Sequence, residues 1–464
     1  KVIRYGLGAV KGTGQQAIEA IIAAREGRGE GPRGGDHGPF KSLFDFCVRV
    51  DRARINKRTV EALIKAGAFD ALQINRAALV ASLTNPRNTY SRHRLGQYAL
   101  GDAGWDLLPP WNPRAQPLDR AVVDGLAAGQ PLPTPTAPLW DGARPTDDAA
   151  WIALGRRVFF AYPLRDDVGV AHLFAARGAA AATARDATAE ALGIERAADG
   201  SYPGLVVFAD VDGVTRLGIT CALCHSARRG ATLVVGTARR RFDLGALRLA
   251  YHRDTGAPIA PALAARMASW GPGRADVTED EDEDPVAIPE LWGLRERRYL
   301  TQAGTIRHGG PAALAIRQET QLLHAGGERV RPPRELAWAL AMYLYSLTPP
   351  PPAPVADARA RARGAALFDQ HCRRCHRDPA GGGDALPAAQ IGTDPALANG
   401  RARGTGRYRT PALLGLAASA PYLHDGSVAS LTELLVPPPG RGHRFGEHLP
   451  AVDRAALIAF LASR

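Results

Sequence analysis

Two five-residue stretches, Cys221-Ala222-Leu223-Cys224-His225 and Cys372-Arg373-Arg374-Cys375-His376, decide how this chain folds. Both follow the pattern Cys-x-x-Cys-His, by which haem c is attached to a polypeptide. The two thiols add to the vinyl groups on one edge of the porphyrin, and the adjacent histidine gives an imidazole nitrogen to the iron. The sequence therefore predicts two covalently attached haem c groups, held by Cys221, Cys224, Cys372 and Cys375, with His225 and His376 as iron ligands.

Other uses of these cysteines fit the sequence less well. The chain has five cysteines, and this odd number argues against a disulfide framework. A structural zinc site needs four ligands, and neither pair has a second Cys or His pair at the spacing of a zinc finger. A thioredoxin-like redox pair lacks the following histidine and lies in a βαβ unit, which the pattern here does not indicate. Haem attachment is therefore favoured over both alternatives.

The composition is that of a globular protein. Of the 464 residues, 45% are hydrophobic and 22% are charged, which leaves ample apolar surface for a core. The length predicts about three domains. No run of about 18 or more apolar residues occurs, so no membrane-spanning helix is expected. Residues 1–14 lack the apolar stretch of a secretory signal.

Helical patterns flank both motifs. Periodic apolar residues predict helices over 148–158, 335–347, 357–370 and 453–462. Gly364-x-x-x-Phe368 lies on the helix before Cys372, where a glycine lets a second helix cross closely. Gly155-x-x-x-Phe159 begins the first region in the same way, although 61 residues separate Phe159 from Cys221. Apart from the two Cys-x-x-Cys-His sites, the sequence shows no internal repeat.

Further stretches around these motifs resemble the bacterial di-haem cytochrome c peroxidase superfamily. They are 154–160 (LGRRVFF), 219–221 (ITC), 409–413 (RTPAL) and 420–431 (APYLHDGSVASL). Residues 343–350 and 442–446 are similar to the branch near the di-haem rubber oxygenases. The resemblance covers about residues 95–464. It implies a mainly α fold with two cytochrome c-like haem domains and long loops, a periplasmic location, and redox chemistry on peroxide or oxygen.

An enzyme of this type needs one iron with an open sixth position and a second iron that relays electrons. The chain has only two methionines, Met267 and Met342, so histidine is the better candidate for the sixth ligand of the second haem. There we expect His443 to bind the iron, with His424 as the next candidate. The candidates at the first haem are His252, His308 and His324, and a surface or hydrogen-bonded role is the alternative for each.

Three residues are predicted to serve catalysis. Gln318 and Glu319 are expected near a peroxide-binding face, where a carboxylate can move the proton that O–O cleavage requires. Trp270 is expected between the haems, where an indole assists electron transfer. A solvated helix face and ordinary core packing remain the alternatives. Thr410 and Pro411 match a family turn that lends carbonyls to calcium, so calcium is a further cofactor candidate, as it is at the acidic run 279–284.

The expected function is that of a peroxidase-like di-haem c-type cytochrome oxidoreductase. One haem passes electrons to a second haem that reacts with peroxide or oxygen, and a small redox protein is the expected electron donor. A non-catalytic periplasmic electron-transfer cytochrome and a di-haem oxygenase are the alternatives.

The start of the chain differs in charge and in kind. Residues 1–94 hold 17 Lys and Arg against 8 Asp and Glu, whereas residues 95–464 hold 41 against 38. Residues 3–25, 40–50 and 54–83 resemble the bacterial DNA polymerase III alpha subunit, most clearly at 42–47 (SLFDFC) and 56–70 (NKRTVEALIKAGAFD). The resemblance implies a small helical fragment that contacts duplex DNA, with Cys47 in its core and without the catalytic carboxylates. DNA is a partner only if this fragment functions.

The domain organisation follows from both resemblances. We expect a polymerase-like fragment at 1–85, a Pro/Gly-rich linker at 86–147, a first haem domain at 148–348, a proline linker at 349–356 and a second cytochrome c domain at 357–464. Replication is cytoplasmic, whereas haem c is attached outside the inner membrane. The fragment at 1–85 is therefore interpreted as a fusion scar, frameshift or mis-assembly. An uninterrupted reading frame in native DNA would exclude that interpretation.

Overall fold

A computed structural model of the chain describes most of the region that carries the motifs and part of the N-terminal region. The described residues are 10, 13–29, 37–40, 45–46, 49–51, 54–55, 57–70, 108–175, 177–276, 285–327, 329–352, 357–400, 404–436, 442–443 and 445–464. They divide into two compact units, one of residues 1–109 with 328–331 and one of residues 110–327 with 332–464.

The first unit contains α1 (Gln15–Arg25) and α2 (Lys57–Lys65). Both end just before a glycine with positive φ, Gly27 and Gly67. Apolar side chains of both helices share one core with Phe46 and Phe69. Arg49 is buried beside this core, where it forms an ion pair with Asp45 and donates to two backbone carbonyls. Cys47 lies outside the described residues.

The second unit is mainly helical, which confirms the predicted fold class. Its helices are α3 (Arg120–Ala127), α4 (Asp148–Ala161), α5 (Val168–Leu173), α6 (Ala179–Ala191), α7 (Cys221–His225), α8 (Leu244–Thr255), α9 (Pro261–Trp270), α10 (Pro311–Ala325), α11 (Arg334–Ser346), α12 (Ala358–His371), α13 (Ala388–Ile391), α14 (Ala396–Asn399), α15 (Leu431–Leu435) and α16 (Ala451–Ala462). Its strands are β1 (Arg114–Pro117), β2 (Arg165–Asp166), β3 (Leu205–Ala209), β4 (Thr215–Ile219), β5 (Ser226–Arg229), β6 (Thr232–Val235), β7 (Arg274–Ala275), β8 (Val286–Ala287), β9 (Leu386–Pro387) and β10 (Arg407–Tyr408). None of the described helices is both long and apolar enough to cross a membrane.

Two helix crossings organise this unit. Helix α4 packs on α11, and α12 packs on α16. A Cβ added to Gly155 would collide with the carbonyl oxygen of Ala339, and one added to Gly364 would collide with that of Ala456. The backbones approach this closely because both positions lack a side chain.

The two crossings repeat further features of each other. Phe159 packs on Tyr343 with ring centroids 5.5 Å apart, and Phe368 packs on Phe460 at 5.4 Å. The Gly-x-x-x-Phe pattern that the sequence shows at 155–159 and 364–368 therefore takes equivalent positions in the fold. The sequence did not show that Tyr343 and Phe460 correspond, because their side chains differ.

A turn before each second helix repeats as well. Gly293 and Gly415 adopt φ of 63° and 64°, in the left-handed region that favours glycine. The Gly293 N–H donates to the carbonyl of Leu347, and the Gly415 N–H donates to that of Arg464. Each turn is thereby fixed to the C-terminal end of its long helix.

Residues before α4, between α4 and α7, and after α7 together form a lobe, here called the sheet lobe. It contains an antiparallel sheet in the order β1-β3-β4-β2, covered by several helices around one apolar core. Strand β1 pairs with β3, and α3 contributes Val122, Val123 and Leu126 to the core. Residues 114–127, expected within a linker, therefore belong to this lobe.

Replacing Gly364 with alanine is expected to destabilise the second unit. The added methyl group would meet the Ala456 carbonyl, and overpacking of this kind costs about 1–3 kcal/mol. Urea unfolding of the full chain measures the difference. Gly309→Ala is the matched control, because a Cβ at Gly309 would meet no atom within 4 Å. Equal stabilities of the two variants would contradict the prediction.

Candidate haem-binding sites

The first Cys-x-x-Cys-His motif forms the short helix α7. Thr220 caps its start, and the threonine side chain accepts a hydrogen bond from the N–H of Ala222. The carbonyls at its end accept the N–H groups of Gly236 and Arg239. Both ends of the helix are thus satisfied by neighbouring groups, which fixes the motif in place.

His225 is oriented as an iron ligand requires. Its Nδ1 lies 3.0 Å from the carbonyl oxygen of Pro289, so Nδ1–H donates to it and Nε2 is left to bind a metal. Burial lowers the pKa of His225 to about 4, which keeps the imidazole in its neutral, ligating form at pH 7.

The two cysteines of this motif lie between two apolar clusters. Cys221 packs against the cluster that contains Phe159 and Tyr343, and Cys224 packs against the core of the sheet lobe. Burial raises the pKa of the Cys221 thiol to about 12 and also raises that of Cys224. Apolar surroundings of this kind suit thioethers to a porphyrin edge, and the residues present fit a haem c.

The second motif follows the C-terminal end of α12. The N–H of Cys372 donates to the carbonyl of Phe368, which continues the helix into the motif. His376 again has its Nδ1 at a backbone carbonyl, that of Gly381, so Nε2 is available to iron. Burial lowers the pKa of His376. A cavity lies against this motif, and its lining includes Cys372, Cys375 and His376.

His443 lines this cavity together with His376. Their ring centroids are 6.4 Å apart. An imidazole nitrogen lies about 2 Å from a metal that it binds, so two imidazoles on opposite sides of one iron have centroids about 6 Å apart. The Nδ1 of His443 is buried and has no hydrogen-bond partner among the described residues. Burial lowers the pKa of His443 to about 4.

His424 lines the same cavity but is engaged elsewhere. Its ring stacks on Tyr408 at 4.3 Å, and its Nε2 lies 3.1 Å from the Tyr408 hydroxyl. Of the two candidates, His443 is therefore the one whose ring the structure places near that of His376.

The other candidate histidines lie in the first part of the unit. Nδ1 of His252 contacts the carbonyl of Ala257, and His324 lies in the last turn of α10. In His308, Nδ1 donates to the carbonyl of Arg297 and Nε2 is buried with no partner in the described part of the chain. His308 also packs on Tyr345, which joins the apolar cluster of Cys221. Of the three, His308 is the one with a free buried nitrogen.

The predicted catalytic residues do not line the cavity at His376. Gln318 and Glu319 lie on α10, and Glu319 is buried 3.8 Å from the Arg334 guanidinium. Trp270 ends α9 and packs in the core of the sheet lobe.

Trp292 occupies the position between motifs that was expected for Trp270. It lines the cavity at His376, and its Nε1–H donates to the carbonyl of Leu414. It follows shortly after Pro289, which holds His225. Trp292 was not selected from the sequence. The signal that could have identified it is the similarity between residues 289–293 (PELWG), which contain Trp292, and residues 411–415 (PALLG).

No oxygen-rich cation site is evident in the described residues. None of them forms a group of three or more His, Cys, Asp or Glu side chains suited to a metal ion. The Thr410 hydroxyl donates to the carbonyl of Asp384. The acidic run 279–284 lies outside the described residues.

Comparisons with known proteins agree with both halves of the sequence analysis. Residues 1–79 match the family model described as a helix-hairpin-helix motif, and residues 406–445 match the one described as RoxA-like, cytochrome c-like. The DNA polymerase III subunit alpha of Neisseria meningitidis serogroup B is 49% identical over 81 residues, which are 18% of this chain and 6% of that protein. That of Vibrio cholerae is 46% identical over 101 residues, 22% of this chain and 8% of that protein. The chain thus spans only a small part of these relatives.

Solved structures show weaker similarity. A MauG-like protein associated with microbial copper homeostasis has 20% identity and a TM-score of 0.29, over 42% of this chain and 77% of that one. Kuenenia stuttgartiensis hydrazine synthase has 16% identity and a TM-score of 0.30, over 43% of this chain and 79% of that one. Similarity at this level does not establish a shared function.

Proposed function

We propose that residues 110–464 form a di-haem c-type cytochrome oxidoreductase with peroxidase-like activity. The observation that carries the proposal is the pair His376 and His443, whose ring centroids lie 6.4 Å apart in a cavity against the second Cys-x-x-Cys-His motif. The cytochrome c-like match at 406–445 covers the segment that leads to His443. The first motif, which has its own helix crossing, would attach the other haem.

The two sites are proposed to have different roles, electron transfer at the second and reaction with peroxide or oxygen at the first. His376 and His443 would both hold the iron at the second site, which would suit it to exchange electrons without binding substrate. His225 would hold the iron at the first site, where peroxide or oxygen would react. Bound haem iron supplies the redox chemistry. Trp292 lies beside the second site, and its buried indole is the proposed contact between the two.

The remaining roles are assigned on the same basis. The buried Nε2 of His308 is the candidate to hold or move a proton at the first site, beside the earlier candidates Gln318 and Glu319. A small redox protein is the proposed electron donor. A periplasmic location is proposed because haem c is attached outside the inner membrane.

The proposed function is tested by haem content and by reaction with peroxide. Expressed with the haem c maturation machinery, the chain is expected to carry two haems by pyridine haemochrome. The double variant Cys372→Ala, Cys375→Ala is expected to carry one, since its thioethers are lost. The half-reduced native protein should change its spectrum on adding hydrogen peroxide. Two haems without any response to peroxide would instead favour the electron-transfer cytochrome.

Replacing His443 with glycine is expected to convert the second haem from low-spin to high-spin. His443 has φ of 53°, in the left-handed region that glycine adopts without strain. The substitution therefore removes a ligand without straining the backbone. Electron paramagnetic resonance reports the spin state, and added imidazole should restore the low-spin signal. His424→Gln is the control and should remain low-spin. A low-spin His443→Gly protein without imidazole would exclude His443 as the ligand.

A second candidate function belongs to the N-terminal unit. Its 49% identity to a polymerase alpha subunit over 81 residues favours duplex DNA binding. Fluorescence anisotropy of the full chain with a labelled duplex tests this. Binding should weaken as salt rises, because phosphate contacts release counterions. Arg58→Glu, an exposed position on α2, should weaken binding, whereas the exposed control Arg407→Glu should not. Equal affinities would contradict this function.

A further inference from the structure

The cavity at the second haem site contains an unbalanced group of charges. Besides histidines, its charged lining residues are Arg240, Glu290, Arg297, Arg374 and Arg409. Arg374 is exposed and stacks on Phe445. The other three arginines, here called the arginine cluster (Arg240, Arg297 and Arg409), are half-buried, and Glu290 is the one carboxylate among these lining residues.

Arg240 contacts residues from two different segments of the cavity lining. Its guanidinium donates to the carbonyls of Ile288 at 2.8 Å and Ser419 at 3.0 Å, and it forms an ion pair with Glu290. Its Nε is nevertheless buried and has no hydrogen-bond partner among the described residues. Glu290 is thus the partner of one arginine and leaves two positive charges without a counter-ion in the lining.

Arg297 and Arg409 form no ion pair with a carboxylate among the described residues. Arg297 donates to the backbone carbonyls of Glu290 and Trp292. Arg409 has only a long contact of 3.4 Å from its guanidinium to the carbonyl of Tyr299, and its Nε is buried with no partner within the described ranges. Burial lowers the pKa of Arg297 to about 10 and that of Arg409 to about 9. The charge of Arg297 contributes to the lowered pKa of Arg409, whereas Glu290 acts in the opposite direction on both.

Half-buried charges of this kind favour a bound anion. A guanidinium group that has lost part of its hydration is left uncompensated unless a negative group replaces the water. A haem carries two propionate groups, and two propionates would balance the two uncompensated arginines. Guanidinium groups bind carboxylates with two parallel hydrogen bonds, which would also satisfy the unpartnered Nε atoms.

Resting on the proposed function, we propose that the arginine cluster binds the propionates of the haem attached at Cys372 and Cys375. The cluster also stands beside Thr410, where calcium was a cofactor candidate. A divalent cation there would be repelled by Arg409 and Arg297, and the Thr410 hydroxyl is already engaged by Asp384. The positive charges that hold this edge of the haem are therefore those of the arginine side chains, and not that of a bound metal ion.

The arrangement has a consequence for electron transfer. Positive charge near an iron favours the ferrous over the ferric state, because the ferric iron carries one more positive charge. Arg240 comes from the segment after the first motif, and Arg409 comes from the segment after the second. Each donates to a carbonyl of the other segment, at Ser419 and Tyr299. The cluster thus links the potential of the second haem to the packing of the two haem regions.

Potentiometric titration of the full holoprotein tests the proposal, with pyridine haemochrome first confirming two haems in each variant. Arg409→Gln and Arg240→Gln should each lower the midpoint potential of the low-spin haem. A tenfold change in the oxidation equilibrium corresponds to about 59 mV for one electron. Arg409→Lys retains the charge and should stay closer to the native potential.

Arg407→Gln is the matched control, because Arg407 is exposed two residues from Arg409. If Arg409→Gln fails to fold, Arg240→Gln carries the test. Potentials of both Gln variants equal to that of the control would overturn the proposal. Removing calcium with EGTA should leave the native potential unchanged, and a shift on calcium removal would also overturn it. Loss of both haems in the native protein would instead defeat the proposed function.

Discussion

The second unit depends on the close crossing of two helices at a glycine, which occurs twice. At Gly155 and Gly364 the backbone of one helix lies directly against a carbonyl of the other, and no side chain larger than hydrogen fits between them. The crossing sets the position of the phenylalanine one turn later. In the second region that phenylalanine, Phe368, is followed at once by the motif, so the crossing places the cofactor thiols as well. In the first region the sheet lobe intervenes, and β4 returns the chain to α7.

Much of this fold is predictable from the sequence, because apolar periodicity reports helices directly. The predicted helices at 148–158, 335–347, 357–370 and 453–462 correspond to α4, α11, α12 and α16. The sheet lobe was harder to foresee. Strand β1 is four residues long, ends in Pro117 and alternates weakly, so only its pairing with β3 identifies it. The correspondence of Tyr343 and Phe460 was missed for a related reason, since they do equivalent packing with different side chains.

A site residue could be predicted where the sequence offers few candidates for its role, and could not be predicted where it offers many. His443 was selected because methionine is scarce, and the structure places its ring centroid 6.4 Å from that of His376. Trp270 and Trp292 are both buried indoles, and only the tertiary fold separates the one in the lobe core from the one at the cavity. Buried arginines are harder still, because a sequence rich in arginine gives no sign of which ones leave solvent.

The net charge of +12 illustrates the same limit. Most of the excess belongs to residues 1–94, and the remainder of the chain is close to neutral. Yet inside that near-neutral region the cavity concentrates Arg240, Arg297 and Arg409 around one glutamate. Electrostatic effects on a cofactor depend on charges within a few ångströms in a medium of low dielectric constant, and screening removes the rest. The local surplus in the cavity, and not the charge of the chain, would therefore set the electrostatic environment of a haem bound at the second motif.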